Sequence, residues 1–264
     1  LRVWYKYLGN KRTADNARDS QKGSFLGPEY SDSYIEDYLK ANNIPHTRFT
    51  KEALLETVSR HISDEKVIGW FQGRMEFGPR ALGARSIIGD ARSSRMQSRM
   101  NLKIKFRESF RPFAPSVLAE KAKDYFDIAT ESPYMLLVAD VNKNHLKNGD
   151  GKEPEGFDRL KILRSDIPAV THVDNSARLQ TVSRDTPNRI YYELINELYN
   201  KTDCPVIINT SFNIRGEPIV CTPEDAYRCF MRTDMDYLVM GSFILDKKQQ
   251  PALKQEVKQY FELD

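Results

Sequence analysis

The stretch VIGWFQGRMEFGPRALGARSIIGD, Val67 to Asp90, carries the reading of the fold. Its opening VIGWF is continuously apolar, as a strand covered on both faces requires. Its end, SIIGD from Ser86, reads as a second strand. Between them lies GRMEFGPRALG, where glycine and proline break any helix and hold arginines on tight turns. The local pattern is strand, basic turn-rich loop, strand.

The surrounding sequence extends that pattern. Upstream, SDSYIEDYLKANN has a Ser31 cap and apolar residues at Tyr34, Ile35, Tyr38 and Leu39, which is helical spacing. IPHTRF is a short extended piece, and Thr50 caps a second helix, KEALLETVSRHI. Downstream, SRMQSRMNLKI and EKAKDYF read as helices and YMLLVAD as a strand, while HVDNSARLQTV is a loop entering a strand. Asn188 to Lys201 is an amphipathic helix, and PVIINTSFN is a strand ending in a polar turn. Thr222 followed by Pro223, Glu224 and Asp225 starts a helix with proline at its first position. DYLVMGSFIL reads as one strand, and a closing helix is expected from about Pro251. Asn142 to Arg159 is polar and reads as an inserted loop. Helices alternating with apolar strands predict an α/β layered sheet.

Composition narrows the function. The chain has 264 residues, a net charge of +3 and 40 % hydrophobic residues, which suits one large globular domain or a main domain with a smaller attachment. No apolar run approaches the roughly 18–20 residues that cross a bilayer. The segment after Leu1 is neither a signal nor a transit peptide, and the chain reads as a fragment of a longer protein. Cys204, Cys221 and Cys229 lack CxxC spacing, which favours reduced thiols and a cytoplasmic setting. His46, His61, His145 and His172 share no ligand spacing, so no zinc site is expected.

The positive charge is local. From Arg74 to Pro115 ten basic residues stand against three acidic ones, Glu76, Asp90 and Glu108. Such a cluster repels itself unless it holds an anion, and it suits a phosphate-rich small molecule. Arg80, between the glycines of GPRALG, can fork onto phosphate oxygens; the alternative is a solvated arginine on a turn. Lys103, Lys105 and Arg107 alternate, so an extended chain would project them from one face beside Phe106, Phe110 and Phe113. A solvated edge strand would use the same pattern. Pro112 and Pro115 fix the chain after Arg111. NTSFN, Asn209 to Asn213, offers hydroxyls and amides to a phosphate or carbamoyl group, or simply forms an Asx turn. Arg178 stands near His172 and Asp174, and an ion pair with Asp174 would explain it equally. No GxGxxG, Walker A loop, GxSxG or HExxH is present.

Four segments in order, MEFGPRALG, NLKIKFRESFRPFAP, HVDNSARLQTV and NTSFNIRGEPIVCTPEDA, resemble the carboxy-terminal domain of the NodU/CmcH-type O-carbamoyltransferases. The resemblance runs from about Gly27 to Phe243. It implies a YrdC-like twisted mixed sheet flanked by helices, with a basic concave hollow, over residues 27–264, and residues 1–26 as a linker or the tail of a preceding domain. It further implies that carbamoyl phosphate and ATP, with Mg2+ on the nucleotide, become carbamoyladenylate here. Transfer to a hydroxyl acceptor would fall to an amino-terminal, Kae1-like partner domain of the actin-like ATPase type, which holds its own metal; none is expected in this chain. By motif position Arg80, Lys105 and Arg111 are the expected catalytic cations. Arg178 and Ser211 join them as contacts to ATP or carbamoyl phosphate, and Asn209, Thr210 and Asn213 follow by adjacency. A different class, a double-stranded-RNA-binding module without catalysis, would use the same basic hollow; the small net charge and the scattered aromatics weigh against it.

Overall fold

The computed structural model of the chain describes residues 2–11, 19, 21–147 and 162–252. Nine strands form one mixed sheet: β1 (Thr47–Arg48), β2 (Ile68–Phe71), β3 (Arg85–Asp90), β4 (Ala114–Leu118), β5 (Leu137–Asp140), β6 (Ser176–Val182), β7 (Val206–Ser211), β8 (Tyr237–Met240) and β9 (Phe243–Asp246). Their order is β1-β9-β8-β2-β3-β7-β4-β6-β5. The pairs β2/β8 and β4/β6 are parallel, and the others are antiparallel. The α/β mixed sheet expected from the sequence is therefore present.

The continuously apolar strands are explained by burial on both faces. Trp70 and Ile68 of β2 pack into a core with α2 (Lys51–Ser63) and α5 (Arg189–Thr202), while Phe71 joins the opposite core. That second core takes Ile35 and Leu39 of α1 (Asp32–Ala41), Met96 and Met100 of α3 (Met96–Met100), and Phe230 of α6 (Pro223–Met231). Ile207 and Ile208 of β7 divide in the same way, as the two-residue strand period demands. The helix starts follow their caps. Ser31 Oγ accepts from the Tyr34 amide at 3.2 Å, and Thr222 and Asp225 form a reciprocal capping box ahead of α6.

Three expectations are corrected. DYLVMGSFIL is a hairpin, β8 and β9, because Gly241 takes a positive φ of 52° and reverses the chain. YMLLVAD is strand only from Leu137, since Met135 sits in the left-handed region at φ 53°. The alternating basic row is not extended: Asn101–Lys105 continues the helical path of α3, so Lys103 is exposed while Lys105 is buried. The expected closing helix and much of the Asn142–Arg159 loop lie outside the described residues. Among the described residues no helix is long and apolar enough to cross a membrane.

Candidate functional site

The loop between β2 and β3 is pinned by two buried charges. The Glu76 carboxylate accepts the backbone N–H groups of Leu82 and Ala84 at 2.7 Å and of Arg85 at 3.1 Å, knotting the loop onto itself. Arg85 is fully buried and donates to the carbonyls of Gln72, Gly73 and Ala84 at 3.1 Å and of Pro28 at 3.3 Å. Its guanidinium lies 3.5 Å from the centre of the Phe71 ring. Burial pulls Arg85 down to about 10, with Glu76 opposing. Gly83, at φ 103°, rests on Tyr191 so closely that a Cβ would stand 2.2 Å from the ring. Clamped in this way, the loop directs Pro79, Arg80 and Ala81 into a hollow.

That hollow has a volume of about 180 Å³. Arg80 comes from the loop, Arg107 from the turn after α3, Pro112 and Phe113 from the entry to β4, and Arg178 from β6. The end of β7 adds Asn209, Thr210 and Ser211. Burial, and then Arg80, lower the pKa of Arg178; burial, and then Arg111, lower that of Arg107. The Nε atoms of Arg80 and Arg178 are cut off from water and find no hydrogen-bond partner among the described residues. Among those residues no carboxylate lines the hollow. Crowded cations with incomplete hydrogen bonding are completed by an anion.

Below Ser211 the Lys105 ammonium donates to the Ser211 carbonyl at 2.5 Å, the Asn213 carbonyl at 2.9 Å and Asn213 Oδ1 at 2.8 Å. It also reaches Ser211 Oγ at 3.3 Å. Burial pushes this lysine down to about 7. Phe106 then turns the chain at φ 48°, which brings Arg107 round to the hollow while its Nε donates to Asn101 Oδ1 at 2.6 Å. Behind the hollow, Asn209, Ser116, Gln180 and Tyr191 form a buried polar wall.

Of the residues expected from sequence, Arg80, Arg178, Asn209, Thr210 and Ser211 meet in one place. Lys105 and Asn213 brace Ser211 from below without lining the hollow. Arg111 is exposed and outside the lining, its Nε 3.0 Å from Glu108, though near enough to depress Arg107. Sequence reasoning passed over Arg107 as a site residue; its place in the KFR triplet, two after Lys105, was the available signal. It also passed over Glu76, an isolated acid in a basic segment, and the wall residues Ser116 and Gln180. His172 and Asp174 line a neighbouring groove of about 870 Å³, which shares Pro112 with the hollow and also includes Ser94, Ser98 and Phe110. Among the described residues no group of three His, Cys, Asp or Glu side chains could hold a metal ion.

Comparison with known proteins bears on this geometry. The family described as "Carbamoyltransferase C-terminus" matches residues 59–247. An uncharacterized protein of Synechocystis sp. is 55 % identical over all of this chain and 44 % of its own length. Nodulation protein NolNO of Sinorhizobium fredii is 45 % identical over 91 % of this chain and 33 % of its own length. The chain thus spans less than half of these curated relatives. Among solved structures, full-length HypF in its phosphate- and nucleotide-bound form aligns with a TM-score of 0.46 at 16 % identity, over 70 % of this chain and 24 % of that one.

Proposed function

The chain belongs to the carbamoyltransferase C-terminal family, and from that premise we propose that it forms carbamoyladenylate from carbamoyl phosphate and ATP. The observation that carries the reading is the convergence of Arg80, Arg107 and Arg178 on one hollow whose lining, among the described residues, has no carboxylate. Carbamoyl phosphate and water give carbamate and phosphate. A carbamate oxygen then bonds to the α-phosphorus of ATP as the bond to pyrophosphate breaks. Every participant is an anion, so the protein's task is to neutralise and align. Arg80, Arg107 and Arg178 neutralise charge, Thr210 and Ser211 offer hydroxyls, and Lys105 with Asn213 positions Ser211. At about 180 Å³ the hollow is smaller than the ~300–1,000 Å³ of sites that take drug-sized ligands. It suits the small carbamoyl phosphate, and the adjoining groove offers the nucleoside room. A lining without carboxylates does not fit a magnesium ion held by the protein.

In this reading residues 1–26 join the domain to an amino-terminal partner domain, which passes the carbamoyl group to a hydroxyl acceptor. Support comes from exposed apolar side chains beside the hollow. Phe77, Leu136 and Val138 are 72 %, 68 % and 60 % exposed, and Val138 stands opposite Arg178 in the β5/β6 ladder. A covering domain would bury them and exclude water. The test is ATP–pyrophosphate exchange by the full-length protein. Exchange should require carbamoyl phosphate and fall by ~10²–10³-fold in Arg80→Ala. Wild-type protein that never exchanges, yet binds double-stranded RNA with a steep salt dependence, would replace this reading with the nucleic-acid one.

A further inference from the structure

We propose that the side-chain carbonyl of Asn209 recognises the carbamoyl NH2 and makes the hollow selective for carbamoyl phosphate over acyl phosphates that lack an N–H. The inference rests on the reading that the hollow takes a small phosphorylated ligand.

Asn209 lies in the interior strand β7, opposite Ala114 of β4, and is 1 % exposed. Its Nδ2 faces three acceptors, the Ala81 carbonyl at 3.0 Å, Ser116 Oγ at 3.0 Å and Gln180 Oε1 at 2.9 Å, which share its two hydrogens. The backbone fixes which branch of the amide is which. The Ala81 carbonyl can only accept, so a flipped Asn209 would set oxygen against oxygen. Gln180 is fixed in the same way, because its Nε2 donates to the Leu82 carbonyl at 3.0 Å and leaves Oε1 facing Asn209. Ser116 Oγ donates to that Oε1 at 2.6 Å and accepts from the Tyr191 hydroxyl at 3.0 Å.

One atom of this wall is left over. Asn209 Oδ1 is buried and has no partner among the described residues. An unpaired buried acceptor is costly, so native interiors keep few of them without a use. Asn209 belongs to a lining whose other polar side chains, Arg80, Arg107, Arg178, Thr210 and Ser211, can all donate. An unprotonated phosphate or carboxylate oxygen cannot pair with Oδ1, because both accept. The matching ligand carries an N–H beside its anionic oxygens. Carbamoyl phosphate has one; acetyl phosphate has nearly the same shape and charge, with a methyl in that position. A site built to hydrogen-bond an N–H rejects the analogue without it, because the acceptor stays unpaired.

The experiment measures dissociation constants of carbamoyl phosphate, acetyl phosphate and inorganic phosphate for the full-length protein and for Asn209→Leu. Wild type should prefer carbamoyl to acetyl phosphate by about tenfold or more. The variant should lose that preference, with inorganic phosphate bound as before. Asn209→Ser, which keeps a polar atom for the wall, serves if the leucine variant does not fold. Equal wild-type affinities for the two acyl phosphates overturn the proposal, as does a variant that weakens all three ligands alike. Phosphate binding that depends on Arg80 but shows no such preference sinks this inference alone. Absence of any phosphate binding sinks the reading on which it rests.

Discussion

Arg80, on the loop between β2 and β3, and Arg85, the first residue of β3, stand five residues apart and lead opposite lives. Arg85 is wholly buried and its terminal nitrogens reach four backbone carbonyls while the group stacks on Phe71; only its Nε, like that of Arg80, lacks a partner among the described residues. Arg80 is half-buried, its Nε has no partner among the described residues, and the nearby Arg178 repels it. Arginine as a residue type therefore says little. A guanidinium whose two terminal nitrogens are taken up by main-chain carbonyls builds the loop, and one that lines a hollow beside another arginine waits for a ligand. Glu76 makes the same point from the other sign: it is a buried acid in a basic segment, and backbone amides occupy it fully.

The strongest way to break this contrast is to remove Arg80 or Arg178. Arg80→Ala and Arg178→Ala should each lower kcat/KM for carbamoyl-phosphate-dependent pyrophosphate exchange by ~10²–10³-fold, the usual loss when one charge-stabilising donor disappears. Stability in urea should stay within about 0.5 kcal/mol of wild type, since little is bonded to these groups and mutual repulsion is relieved. A variant that loses activity only in proportion to its loss of folded protein would make Arg80 structural and erase the distinction.

Arg85→Met should give the reverse pattern. It strands the buried carbonyl of Gln72, releases the part-buried carbonyls of Gly73 and Pro28, and leaves Glu76 without a nearby cation. The expected cost is about 3 kcal/mol, read from the urea midpoint. The folded fraction at low temperature should still exchange pyrophosphate within a few-fold of wild type. Exchange abolished in fully folded Arg85→Met would show that the two arginines share one role.

How far the sequence reveals this division depends on what each residue's partners are. The strands and capped helices were legible because their signals are local: VIGWF is apolar throughout, and Thr222-Pro223 with Asp225 is a helix start in four residues. Arg80, Arg178 and Ser211 were reachable through motif order. The different fate of Arg85 was not, because its acceptors are main-chain carbonyls, which no residue letter records. The row Lys103, Lys105, Arg107 misled for a related reason: alternation reads as a strand until the left-handed turn at Phe106 separates the side chains. Gln180 and Ser116 gave no sign, since their use depends on β4 and β6 lying side by side.

Lys105 falls between the two arginines and sharpens the comparison with a smaller effect. Like Arg85 it is buried and bonded to main-chain carbonyls, yet the groups it holds, Ser211 and Asn213, belong to the site or its support. Burial sets its native pKa near 7, below the ordinary lysine value of 10.5. Between those limits the unfolded chain binds the proton that the native chain has released. The destabilisation is therefore complete below pH 7 and fades as pH rises toward 10.5, so wild-type stability should climb across that window relative to Lys105→Met. Anion binding should run the other way. An anion in the hollow favours the ammonium, so sulfate, whose own charge is constant over this range, should bind about tenfold more weakly at pH 8.5 than at 6.5. In Lys105→Met that slope should flatten. A slope unchanged in the variant would separate Lys105 from the anion and put it with Arg85, as part of the frame alone.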